Sequence, residues 1–135
     1  MSDALWSMVR ERAENRCEYC RIHQDDDPFY TFPVDHIIAR QHGGQTNESN
    51  LALSCFRCNS HKGPNIASID PGTGEMQPLF HPRRDAWDLH FEWNGPLLVG
   101  RTPVGRTTVK LLQINHPDAV FLRKTLIEEG VFPSG

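Results

Sequence analysis

Apolar Leu5, Val9 and Ala13 recur every fourth position behind Ser2, a residue that caps helices, and predict an N-terminal helix whose single apolar face ends near Asn15-Arg16. Phe29-Tyr30-Thr31-Phe32-Pro33-Val34-Asp35 is rich in aromatic and β-branched residues and reads as a strand, with Pro33 marking an edge or a bulge. A loop holding His42-Gly43-Gly44 follows, and Leu51-Ala52-Leu53-Ser54 reads as a second, shorter strand. From Phe56 to Lys62 a helix is expected, stopped by Gly63-Pro64. The order is strand, long loop, strand, helix.

In the second half, Trp87, Leu89, Phe91 and Trp93 alternate with Asp88, His90 and Glu92, the pattern of a strand with one buried and one wet face. Asn94-Gly95 offers a tight hairpin turn into Leu97-Leu98-Val99. Thr102-Pro103 can start a helix running through Val109 and Leu112, and Asn115 or His116 before Pro117 can start another that closes near Gly130. The fold class is therefore α+β, with residues 1–135 as one compact domain and residues 64–135 as an extension packed on what precedes them. There is no linker, repeat or low-complexity tract between the two parts.

A chain of 135 residues can bury a modest core but keeps a large share of surface, so a metal staple would add needed stability. No stretch approaches the roughly 20 apolar residues that span a bilayer, and the start runs into charge instead of a signal-peptide core. A cytoplasmic protein with no membrane partner is expected. The net charge of −3 gives no global electrostatic footprint for nucleic acid and counts against a tight, non-catalytic DNA binder. Local clustering still permits binding: Arg40, Arg57 and Lys62 surround the candidate site, and Arg83-Arg84 with Arg101 and Arg106 could extend a basic track.

The four cysteines form two C-x2-C pairs, Cys17/Cys20 and Cys55/Cys58. In a reducing compartment this spacing favours one tetrahedral zinc over disulfides, because paired thiolates at each end of a long insert can close a shell around one ion. A redox C-x-x-C would leave the second pair without a purpose. Four thiolates leave no place for substrate, so such a zinc is structural.

Asp35-His36, then Asn50, then Asn59 within Cys55-x2-Cys58-Asn59-x-x-Lys62-Gly63, resembles the HNH endonuclease family, whose catalytic core is the ββα-metal finger. Cys17-Glu18-Tyr19-Cys20 and His42-Gly43-Gly44 also resemble it, and the likeness covers 17–63. It implies an α+β chain built on an HNH finger stapled by four cysteines, with an N-terminal helix and a C-terminal extension of a hairpin and two helices.

The resemblance also implies a division of labour. A phosphodiester repels an incoming hydroxide and loses a poor alkoxide, so a divalent cation is wanted at the scissile phosphate. Asp35 would supply a hard anionic ligand and Asn59 a neutral amide oxygen, leaving positions for phosphate and water and favouring Mg2+ or Mn2+. His36 would be the general base, which requires the strand to twist or end there if both side chains are to reach one phosphate. Asn50 would pin the loop that orients His36.

Some HNH proteins carry a histidine where this chain has Asn59. His61 is the rival but lies about 200° around a helix from Asn59, and is assigned to phosphate contact or an accessory role. Lys62, three positions on, shares the face of Asn59 and is expected to grip a phosphate. His42 reads as polar surface.

The function expected on this resemblance is metal-dependent hydrolysis of phosphodiester bonds, with double-stranded DNA as partner. The sequence leaves open whether one strand is nicked or both are cut by a dimer. An alternative is a zinc-ribbon-like module that binds nucleic acid or protein without cutting; it leaves Asp35-His36, Asn50 and Asn59 unexplained.

Overall fold

The computed structural model describes residues 1–133. The first helix, α1 (Asp3–Arg12), is capped by the Ser2 side chain, which accepts from the Leu5 N–H at 3.2 Å, and buries Val9. The chain then makes the Cys17–Cys20 knuckle and reaches a short antiparallel hairpin of β1 (Val34–His36) and β2 (Leu51–Leu53), in which Asp35 lies opposite Ala52. Helix α2 (Phe56–Lys62) follows at once, with Cys55 as its N-cap and Gly63 closing it. The order strand, long loop, strand, helix is the one expected.

Two further hairpins come next: β3 (Ala67–Ile69) with β4 (Met76–Pro78), then β5 (Phe91–Asn94) with β6 (Leu97–Gly100), the latter preceded by one helical turn, α3 (Trp87–His90). Helices α4 (Pro103–Leu111) and α5 (Pro117–Glu128) begin where Thr102 and His116 cap them and proline occupies the first turn. Helix α4 lies unusually close to β6 because both carry glycine at the crossing. A Cβ at Gly105 would stand 2.1 Å from the His90 carbonyl oxygen, and one at Gly100 would stand 2.3 Å from the Arg106 nitrogen.

Among the described residues the β1–β2 and β5–β6 hairpins and the helices around them share one cluster of buried residues, running from Val9 through Tyr19, Phe32, Leu51 and Leu53 to Phe80, Phe91, Leu98, Leu112 and Phe132. Among the described residues no helix is long and apolar enough to cross a membrane.

Two local expectations are corrected and one element is added. Residues 29–33 are not strand: the Gln24 side chain accepts from the Phe32 N–H at 2.7 Å and donates to the Tyr30 carbonyl at 3.0 Å, occupying the groups a neighbouring strand would need. Strand character at 87–93 begins only at Phe91. Leu89, in α3, is exposed, so Asp88, His90 and Glu92 share no strand face; His90 instead bonds Thr102 Oγ1 at 2.6 Å. The β3–β4 hairpin is an addition, pinned at its turn by Asp70, which accepts from the Gly72 N–H and the Thr73 hydroxyl.

Candidate active site and metal centre

Each cysteine pair is a knuckle in which the first sulfur accepts from a backbone N–H of the second residue: Cys20 N–H to Cys17 Sγ and Cys58 N–H to Cys55 Sγ, both at 3.4 Å. All four cysteines are reduced and buried, and their sulfurs lie within 4.8 Å of one another. Cys20 Sγ and Cys55 Sγ are 3.7 Å apart, close to the edge of about 3.8 Å of a tetrahedron with zinc–sulfur bonds of roughly 2.3 Å. Crowding of the sulfurs pushes the Cys58 and Cys55 thiols well above their ordinary value, chiefly through the bonds each makes to Cys17. A divalent ion at the centre would let all four ionise, so the donor set fits the metal.

The β1–β2 hairpin and α2 enclose an open cleft of about 290 Å³, lined by Val34, Asp35, His36, Ala39, Arg40, Asn59, Gly63 and Pro64. Asp35 and His36 both reach it because β1 ends at His36, which releases the second side chain from strict alternation. Asp35 is 5% exposed. Its carboxylate accepts from the Tyr19 hydroxyl at 2.7 Å and from Lys62 Nζ at 3.2 and 3.3 Å. Burial raises its pKa nonetheless, with Lys62 and Tyr19 pulling the other way.

His36 is half-buried, and its Nε2 lies 2.8 Å from Thr46 Oγ1. Burial and the positive charge of Arg40 lower its pKa, against a weaker pull from Asp35, so the imidazole is neutral at pH 7. Asn50 is buried and clamps the loop between the strands. Its Oδ1 accepts from the Ile38 N–H at 2.8 Å, while Nδ2 donates to the Ile38 and Gln45 carbonyls at 3.0 and 2.9 Å. Gly44 lets the loop close there, since a Cβ at that position would come within 1.7 Å of the Ile38 oxygen.

Other expected site residues lie elsewhere. Lys62 does not offer its charge to solvent: it is 1% exposed, and besides Asp35 its ammonium donates to the His36 and Ile37 carbonyls at 3.3 and 3.0 Å. Sharing a helix face with Asn59 fixed its azimuth, but the long side chain runs back under β1. Arg57 lines a different groove, with Asp27, Cys55 and Cys58. His61 is half-buried and outside the residues lining the cleft, and His42 is exposed on the loop. In the extension, Arg83 pairs with Glu18 and Arg106 with Asp70, while Arg101 donates to the Asp88 carbonyl. Tyr19 and Thr46 join the site without a signal in the sequence, Tyr19 lying inside the first knuckle between the two sulfurs.

This geometry can be set beside known proteins. Residues 17–65 match the family model described as HNH endonuclease. The chain is 29% identical over 119 residues to the Septu protein PtuB of Bacillus thuringiensis, a match that covers 87% of this chain and 43% of that protein. It thus spans less than half of that relative's length. No solved structure matches.

Proposed function

We propose, from the premise that residues 17–65 form an HNH endonuclease domain, that this protein hydrolyses phosphodiester bonds in DNA with the cleft between β1 and α2 as its active site. The observation that most supports this reading is that Asp35, His36, Asn59 and Arg40 line one open cleft. Asp35 and Asn59 would hold a Mg2+ or Mn2+ ion, which when bound supplies positive charge for the phosphate and the leaving alkoxide. His36 is the general base. If its Nε2–H is given to Thr46 Oγ1, then Nδ1 carries the lone pair that takes the proton of the attacking water. Its lowered pKa keeps that lone pair free at neutral pH.

Lys62 and Tyr19 act on Asp35 instead of on substrate. Their hydrogen bonds fix its carboxylate and offset part of its burial, so that it can stay ionised. Arg40, exposed at the rim, is the group left to attract a phosphate. Asn50 positions His36 through the loop it clamps. The four cysteines hold zinc, which ties the first knuckle to the start of α2 and takes no part in the chemistry.

The test is incubation of the zinc-loaded protein with supercoiled plasmid in Mg2+ or Mn2+. Wild type should convert it to nicked or linear DNA and His36→Ala should leave it intact; equal cleavage by the two proteins refutes the assignment. A gel shift without divalent ion and no change of DNA length with it would instead mark a non-cutting binding module.

A further inference from the structure

On the surface near the start of α2 stands a pair of aromatic rings that neither the core nor the proposed chemistry uses. Tyr30 and Phe56 stack with ring centroids 4.4 Å apart and planes 17° from parallel. Both remain open to solvent, at 58% and 49% exposure, and neighbouring Phe29 is more exposed still at 87%. Side chains of this size ordinarily turn inward, and a stacked pair left outside is a prepared surface.

Two features show that the pair is held where it is. The Gln24 amide grips the backbone on both sides of Thr31, at the Tyr30 carbonyl and the Phe32 N–H, and Arg10 donates to the Phe32 carbonyl. Phe56 is the first residue of α2, fixed behind the Cys55 knuckle. Phe56 also precedes Asn59 by three residues, so the two share a helix face about 4.5 Å apart along the axis. The stack therefore stands about one helical turn before Asn59, which lines the cleft.

We propose that the Tyr30–Phe56 stack is a platform for an unpaired base of the DNA strand whose phosphate lies in the cleft, and that the substrate is accordingly single-stranded or locally opened DNA. The proposal rests on the nuclease reading for its placement. A π-face accepts any base, so the platform confers structural preference without sequence preference. In an intact duplex both faces of each base are covered by neighbours, and only an unpaired or extruded base can extend the stack. A protein partner would gain from the same apolar area but has no reason to sit in line with Asn59.

The experiment uses two DNAs that share one 2-aminopurine-labelled strand, one with a full complement and one whose second strand leaves the label in a central unpaired bubble, titrated with zinc-loaded protein in the absence of other divalent ions so that nothing is cut. Wild type should quench the 2-aminopurine fluorescence and favour the bubble. Tyr30→Ala and Phe56→Ala should each lower the ratio of bubble to duplex affinity about tenfold, the size of one lost base–aromatic stack. Tyr30→Phe and Phe56→Trp, which keep the π-face, should retain it. Alanine variants with an unchanged ratio overturn the proposal, as does an unchanged ratio accompanied by loss of self-association in sedimentation, which would make the rings a protein interface. Cleavage is measured separately in Mn2+. If wild type cuts neither DNA while the alanine variants still lose the ratio, the nuclease reading falls and the platform stands; if wild type cuts both and the ratio does not move, the reverse holds.

Discussion

Lys62→Met is the substitution that best separates the structure from the expectation drawn from spacing. A lysine gripping phosphate would be dispensable for folding, whereas the observed ammonium is 1% exposed and holds Asp35 and two backbone carbonyls. Methionine matches the stem and removes the charge, so little of the change comes from packing. What is left behind is a carboxylate 5% exposed with the Tyr19 hydroxyl as its remaining partner, and two carbonyls short of a donor. Breaking a buried ion pair from one side costs about 3–5 kcal/mol. For a domain of this size that lowers Tm by roughly 10–20 °C.

The assay is urea unfolding of the zinc-saturated protein, followed by tryptophan fluorescence, with Asp35→Asn and the double variant completing a cycle. In Lys62→Met the Asp35 carboxyl must rise further, since burial already raises it and Lys62 was the main opposing influence. A folded-state pKa above the unfolded one costs stability at every pH above the unfolded value, so the defect should be largest at neutral pH and shrink toward acid. The double variant carries no stranded charge, and its loss should fall short of the sum of the singles by about 0.5–3 kcal/mol. A Lys62→Met protein within about 0.5 kcal/mol of wild type, the range of ordinary surface changes, or strictly additive losses, would refute the buried pair.

Removing the metal with a strong chelator should unfold the chain, because structural zinc contributes about 10–16 kcal/mol against a total stability of about 5–15 kcal/mol; circular dichroism against bound zinc checks this, and a chelated protein that keeps its helices contradicts it. Asn50→Ala strands the Ile38 N–H and frees the loop, at about 1–3 kcal/mol of stability, and should lower plasmid cleavage even where the protein is fully folded; unchanged cleavage in folded protein argues against the clamp. Asp70, held down to about 2 by its two bonds to Arg106, stabilises the fold above the unfolded carboxyl value, and that contribution should fade as pH drops from about 4 toward 2. The Tm difference between wild type and Asp70→Asn should shrink across that window, and a constant difference would disprove the linkage.

What the sequence made legible was whatever is decided within a few residues. Helix α2 starts at a cap and ends at Gly63, and α4 and α5 start at Thr102-Pro103 and His116-Pro117, so local signals suffice. Asp35, His36 and Asn59 were found through their order along the chain, and one cleft gathers them. Strand character at 29–32 misled because β-propensity describes a half-buried pleated surface, and here Gln24 takes the backbone groups such a surface needs. Alternation at 87–93 misled at Leu89, where a helical turn intervenes so that the Trp87 indole can donate to the Tyr19 carbonyl at 2.9 Å. The turn at Asp70-Pro71-Gly72-Thr73-Gly74 carried a readable composition, and the β3–β4 hairpin could have been expected from it.

The length of chain beyond the finger has a physical use that Tyr19 exposes. Within the first cysteine knuckle, the Glu18 carboxylate accepts from the Leu53 N–H and from Arg83, which fastens the knuckle to β2 and to the extension. Tyr19, fully buried, spans the molecule: its carbonyl takes the Trp87 N–H, its ring meets the edge of Phe80, and its hydroxyl ends on Asp35. A two-stranded hairpin and a seven-residue helix could not by themselves cover that ring or desolvate the Lys62–Asp35 pair beneath it. Phe80, Phe91 and Trp87 supply the cover, with the Phe91 ring 5.2 Å from each of the other two. The metal knuckle is thus more than a staple. By fixing Tyr19 it carries the rigidity of the extension to the carboxylate on which the proposed chemistry depends, and this is why residues far beyond the finger bear on its cleft.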